Sequence, residues 1–167
     1  MPSRILVAYA SREGSTSGIA GAIADELRKA GYETDVKEIE SVHSLEEYDA
    51  LVIGTPVYSG KFLGDIAGFA ARHRDRIAHI PVAGFVVGIA PVYPKAGDVH
   101  VFTGKLASAV APAKAVAITM FAGSFQSEQQ GFLVRSLGKM MKIPEGDFRK
   151  WGAISAWARE LPAKMGI

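Results

Sequence analysis

The chain has 167 residues, with 19 Lys and Arg against 17 Asp and Glu, four His and no Cys. This length supports one domain with a sizeable core, and the absence of Cys excludes disulfides, thiolate catalysis and iron–sulfur ligation, so redox chemistry here requires a bound organic cofactor. A net charge of +2 does not mark a nucleic-acid partner, no apolar run approaches the ~18 residues of a membrane span, and His43, His73, His79 and His100 lack metal-ligand spacing.

Met1-Pro2-Ser3-Arg4 leads directly into the first apolar run, which leaves no room for a signal peptide; the expected location is cytoplasmic. Arg4 to Tyr9 reads as a buried parallel strand. The turn Ser11-Arg12-Glu13-Gly14-Ser15-Thr16 follows it. A helix then runs over Ser15 to Ala30, with its apolar stripe at Ile19, Ala20, Ile23, Ala24 and Leu27, and Gly31 ends it. The first N–H groups of a helix lack intrahelical acceptors and carry partial positive charge. Three hydroxyls, a cation and a glycine at that point favour a phosphate, although hydroxyls before a helix also serve as plain caps. Gly14, Gly18 and Gly21 do not form G-x-G-x-x-G, and Gly104-Lys105 precedes Leu106 with no Walker A glycine before it. A phosphate monoester is therefore expected, rather than a pyrophosphate or triphosphate.

Glu33 to Ile39 alternates like an edge strand, and Ala50 to Gly54 reads as a fully buried third strand. The segment Thr55-Pro56-Val57-Tyr58-Ser59-Gly60-Lys61 then lies at the carboxyl edge of the sheet, where open α/β sheets bind ligands. Tyr58 offers a π-face, and Gly60 permits a peptide reorientation that a Cβ would resist. The same segment also reads as an ordinary strand-to-helix turn. A helix over Leu63 to Ile77 ends in the basic run Arg72-His73-Arg74-Asp75-Arg76, whose default is a solvated helix end. Val82 to Val87 is a fourth strand, and Gly88-Ile89-Ala90-Pro91 opens a third loop at the same edge. Val101 to Val110 predicts a helix, Lys114 to Met120 a fifth strand, and Gly152 to Met165 a last helix starting nearer Asp147.

Strands alternate with helices throughout, which predicts an α/β fold with a parallel sheet in a single domain, 1–167. An insertion of about 121–146 precedes the last helix. Within it Arg135, Lys139 and Lys142 recur at helical spacing among Leu133, Leu137, Met140 and Met141. Such a helix can lie on an anionic membrane, cover an apolar ligand, or pack on the domain with its basic side in water.

Residues 4 to 30 resemble the opening of the flavodoxin family, whose first loop follows [S/T]-x-x-G-x-[S/T]; Ser11, Gly14 and Thr16 match it. The resemblance implies a doubly wound five-stranded sheet of order 2-1-3-4-5 and FMN as cofactor. It places the phosphate on Ser11, Arg12, Glu13, Gly14, Ser15 and Thr16. The flavin ring would lie between Thr55, Pro56, Val57, Tyr58, Ser59 and Gly60 on one side and Gly88, Ile89, Ala90 and Pro91 on the other. Over nearly its full length the chain is similar to the flavodoxin-type, menaquinone-dependent protoporphyrinogen oxidases. The first loop, the Tyr-x-Gly segment, Met141-Lys142-Ile143 and the stretch Trp157 to Glu160 carry that likeness, while the insertion is shorter and less aromatic than theirs.

That subgroup implies a quinone or porphyrinogen-type small molecule as partner, haem-pathway oxidoreductase chemistry, and peripheral membrane contact through 132–143. A flavodoxin-type electron carrier docking on redox proteins is the alternative. Loops 55–60 and 88–91 contain no Asp or Glu, and Lys61 and Lys95 flank them. Carboxylates that would repel a reduced, anionic flavin are missing there, which favours two-electron chemistry over the carrier. No side chain stands out as a separate acid or base, and no metal site is expected.

Overall fold

The computed structural model describes residues 3–10, 15–125 and 146–167. In chain order the elements are β1 (Arg4–Tyr9), α1 (Ser15–Lys29), β2 (Glu33–Glu38), β3 (Ala50–Tyr58), β4 (Lys61–Phe62), α2 (Ile66–Arg72), α3 (Arg74–Ile77), β5 (Val82–Gly88), α4 (Val99–Ala109), β6 (Ala115–Ala122), β7 (Ser124–Phe125), β8 (Gly146–Asp147) and α5 (Trp151–Met165).

The main sheet is ordered β2-β1-β3-β5-β6, and every neighbouring pair along this path is parallel. With the short β4 set aside, this is the expected 2-1-3-4-5 order. The central strands are buried on both faces, and their alternate residues enter two separate cores. Ile5, Val7, Val52, Phe85 and Val87 pack with Ile19, Ile23 and Leu27 of α1 and with Ile154, Ala158 and Leu161 of α5. Leu6, Ala8, Leu51, Ile53 and Val86 pack with Ile66 and Phe69 of α2 and with Phe102 and Leu106 of α4. Trp157 belongs to the first core, where its ring meets Phe121 edge-on at 5.6 Å and Phe85 at 6.3 Å.

Both long helices on that face end alike. Gly31 and Gly166 adopt positive φ (98° and 73°). Tyr32 N–H then donates to Leu27 O at 3.1 Å and Ile167 N–H to Pro162 O at 3.0 Å, closing Schellman caps. The Tyr32 hydroxyl donates to Ile167 O at 3.2 Å, tying the two ends together.

Several boundaries differ from those predicted. The helix expected over Leu63 to Ile77 begins at Ile66, where Asp65 accepts the Gly68 N–H at 2.9 Å, and it breaks at His73 (φ −112°, ψ 22°). Ile39 leaves β2 for a 3-10 turn, Ile39–Ser41. The fifth strand runs on to Ala122, so Phe121 and Ala122, assigned by sequence to the insertion, continue the sheet. β7 and β8 then pair antiparallel, Ser124 with Asp147 and Phe125 with Gly146. The last helix starts at Trp151 rather than near Asp147. The basic helix expected around Arg135, Lys139 and Lys142 lies outside the described residues.

The largest difference concerns the segment after Gly54. Thr55, Pro56, Val57 and Tyr58 continue β3, and the chain folds back through Ser59 and Gly60 into β4, with Val57 facing Phe62 and Tyr58 facing Lys61. Ser59 (φ 50°) and Gly60 (φ 78°) both lie in the left-handed region. Positive φ at both central residues of a two-residue hairpin is the type I′ turn, whose twist matches that of the strands it joins. The segment is thus neither an open loop nor a strand-to-helix turn.

Candidate site at the carboxyl edge of the sheet

β1, β3, β5 and β6 all end at one edge of the sheet, and α1 begins there. β3 reaches farthest: Tyr9 is level with Gly54, after which β3 continues to Tyr58. Thr55 and Pro56 are buried, Val57, Tyr58 and Gly60 are half-buried, and Ser59 is exposed. From the third loop, Gly88 and Ile89 are half-buried, Ala90 is buried and Pro91 is exposed. The Ile89 carbonyl accepts the N–H groups of Val92 and Tyr93 at 2.9 and 2.8 Å, which shapes that loop into a tight turn.

Close approaches bring these segments together. A Cβ on Gly88 would stand 2.7 Å from Val57 Cγ1 and 2.9 Å from Met120 Cε. A Cβ on Gly123 would stand 2.8 Å from Val87 Cγ1 and 3.0 Å from Ser15 Oγ. Glycine is needed at both positions because the neighbouring backbone and side chains occupy the space a methyl would take. The result joins Ser15 at the start of α1, the end of β6, the end of β5 and the outer part of β3 along one edge.

Of the residues expected at the first loop, Ser15 is half-buried and Thr16 is buried, while Ser11, Arg12, Glu13 and Gly14 lie outside the described residues. The first turn of α1 carries no acidic side chain, which suits an anion at the helix N-terminus. Tyr9, at the end of β1, has its phenol pushed above the ordinary value by burial, with Glu38 adding to the effect. It stays a neutral hydroxyl at physiological pH.

Sequence reasoning missed three participants at this edge. The Ser124 N–H donates to Ser15 Oγ at 3.0 Å, Gly123 supplies the close approach just described, and Lys105 Nζ of α4 donates to Gly60 O at 3.2 Å. The Gly-Ser pair after the fifth strand was a signal that could have found the first two. Nothing in the sequence pointed to Lys105.

A profile of the flavodoxin domain family matches residues 6–150. The chain belongs to the flavodoxin domain family. Among curated proteins it is 28% identical over 94 residues to the protoporphyrinogen IX dehydrogenase [quinone] of Escherichia coli strain K12, a match covering 55% of this chain and 52% of that protein. The chain thus spans about half the length of the curated relatives it matches. Among solved structures, a flavodoxin from the domain Archaea superposes with a TM-score of 0.60 at 14% identity, covering 98% of this chain and 99% of that one. The flavodoxin of Streptococcus pneumonia TIGR4 gives 0.59 at 19% identity, covering 96% and 99%. These superpositions establish the flavodoxin fold.

FMN is the cofactor of this family. The residues present fit it. The first turn of α1 holds no acidic side chain, and Gly60 has no atom within 4 Å of where a side chain would project, so a planar ring could approach its backbone. Among the described residues no group of His, Asp and Glu could hold a metal ion, and no helix is long and apolar enough to cross a membrane.

Proposed function

We propose that this chain binds FMN at the carboxyl edge of its sheet and works as a quinone-linked oxidoreductase of the protoporphyrinogen dehydrogenase type. The observation that carries the reading is the convergence of Ser15, Val57, Gly88 and Gly123 on one edge. FMN supplies hydride and electron transfer when bound, and the protein binds and orients it. Ser11, Arg12, Glu13, Gly14, Ser15 and Thr16 hold the phosphate with backbone N–H groups, hydroxyls and a guanidinium. Thr55 to Gly60 and Gly88 to Pro91 frame the ring, to which Tyr58 offers a π-face.

The charge at this edge supports an enzyme over a low-potential carrier. No Asp or Glu lies in 55–60 or 88–91, while Lys105 reaches the hairpin. A porphyrinogen is an apolar ring bearing carboxylates and is served by an apolar site with a cationic rim. The partial match to the quinone-linked dehydrogenase of Escherichia coli supports the same class.

The test has two stages. FMN and riboflavin are titrated into the apoprotein and into Arg12→Glu/Thr16→Val, following flavin fluorescence. The wild type should prefer FMN, and the double variant should lose most of that preference while binding riboflavin as before. Equal discrimination in both proteins overturns the phosphate assignment. The FMN-loaded protein is then offered protoporphyrinogen with a menaquinone analogue. Turnover supports the enzyme; its absence, together with reduction by a redox protein, supports the carrier.

A further inference from the structure

Lys105 stands in the middle of α4, 45 residues from Gly60 in sequence, and its ammonium donates to the Gly60 carbonyl at 3.2 Å. That carbonyl belongs to the peptide joining Gly60 to Lys61, at the tip of the type I′ hairpin. Gly60 has φ 78° and nothing within 4 Å of where a Cβ would stand, so one side of the backbone is open at the tip, while the Tyr58–Lys61 pairing holds the peptide from within the hairpin. The Lys105 contact comes from outside the hairpin and favours one orientation of the carbonyl. It also brings a positive charge to a turn that already carries Lys61 and no acidic residue from 55 to 60.

We propose that Lys105 is a positioning residue for the flavin site, holding the Gly60 carbonyl in one orientation and keeping a cation at the hairpin tip, so that the protein binds reduced FMN in preference to oxidised FMN. This rests on the FMN reading above. Reduction adds electron density to the ring, and the reduced form is anionic when the proton balance leaves N1 free. A nearby ammonium attracts that form more than the neutral oxidised one. A carbonyl held by Lys105 is also withheld from other partners until the lysine lets go.

Three variants separate the two contributions. Lys105→Arg keeps charge and donor, Lys105→Gln keeps a donor without charge, and Lys105→Met keeps neither. FMN affinity is measured anaerobically for the oxidised and the dithionite-reduced cofactor, at low and at high salt. Lys105→Met should weaken reduced FMN by about threefold to tenfold more than oxidised FMN. Lys105→Gln should lose part of the preference, and Lys105→Arg should keep it. In the FMN-free protein, amide exchange at Gly60 and Lys61 should speed up in Lys105→Met and stay slow in Lys105→Arg. A Lys105→Met variant that binds both redox forms as the wild type does, or weakens them equally, overturns the inference and leaves the FMN reading standing. A wild type that binds no FMN overturns both.

Discussion

The Ser15 hydroxyl, in the first turn of α1, accepts the backbone N–H of Ser124, 109 residues later, at 3.0 Å. This single bond fastens the helix that begins at the first loop to the strand end from which residues 126–145 depart. Gly123 makes room for it, since a Cβ there would approach Ser15 Oγ to 3.0 Å. On the far side, Phe148 N–H donates to Gly123 O at 3.1 Å, so the chain is fastened to this strand end again after residue 146.

Ser15→Ala should therefore behave as a structural variant first. It leaves the partly buried Ser124 N–H without its acceptor, at a cost of about 1–2 kcal/mol. For a chain of this size that corresponds to a fall in Tm of roughly 2–8 °C. Differential scanning fluorimetry of the FMN-free protein checks it; an unchanged Tm would mean that the Ser124 amide finds another partner.

Gly54 faces the Phe85 ring across neighbouring strands, so closely that any Cβ would enter the ring. Phe85 is fully buried and contacts Phe121 and Trp157, which leaves it little room to withdraw. Gly54→Ala should cost about 3 kcal/mol or more by overpacking. Adding Phe85→Leu should restore part of that loss although Phe85→Leu alone is destabilising, a coupling that urea denaturation of the double-mutant cycle measures. Strict additivity would refute the proposed clash.

Ser59 pays for the type I′ turn with φ 50°. Asn tolerates the left-handed region better, and Asn-Gly is the preferred pair for this turn. Ser59→Asn should stabilise the protein by about 0.5 kcal/mol, and Ser59→Val should destabilise it by about 1–2 kcal/mol, because a branched Cβ clashes there. Opposite signs for the two variants in thermal unfolding are the expected signature.

At the opposite edge, the buried Tyr48 hydroxyl donates to Asp35 Oδ2 at 2.6 Å, and Arg4 approaches the same oxygen at 3.1 Å. The Tyr48 bond is the main reason the Asp35 carboxyl lies below its ordinary value of 3.8, with Arg4 adding to it against the opposing effect of burial. Burial, followed by Asp35, pushes the Tyr48 phenol upward. A carboxyl whose folded value is depressed stabilises the fold above its unfolded pKa and loses that contribution as acid titrates it through the folded value. Tyr48→Phe should therefore cost about 1 kcal/mol at pH 7, and the gap to wild type should narrow below about pH 4. Urea midpoints at pH 7 and pH 3 test this; a gap that stays constant would assign the loss to packing.

His73 sits at the break between α2 and α3, its ring tilted 50° to that of Phe69 with the ring centres 4.6 Å apart. Burial, with Arg72 adding like-charge repulsion, holds its imidazole below the ordinary value of 6.5. The folded state therefore resists protonation, and stability should fall as pH drops through 6.5 until the folded value is passed. His73→Asn should flatten the pH dependence between about pH 7 and pH 5, as read from Tm across that range. A slope identical to wild type would place the titration elsewhere.

The sequence by itself determined the alternation of strands and helices, the parallel sheet, and the family to which the first loop points. These follow from local patterns: continuous apolar runs for strands buried on both faces, an apolar stripe at Ile19, Ile23 and Leu27, and glycine stops such as Gly31. Tertiary structure alone decided how the edge is assembled. The hairpin at Ser59 and Gly60 forms because β4 pairs back on β3, and a Thr-Pro-Val-Tyr run does not reveal where its ladder partner lies. The start at Ile66, set by the Asp65 cap, and the break at His73 both fall inside a stretch whose apolar pattern reads as one continuous helix. Ser15 with Ser124, and Lys105 with Gly60, are separated by 109 and 45 residues; a local window carries no information about such pairs, because what joins them is the folding of the sheet and not the spacing of the chain.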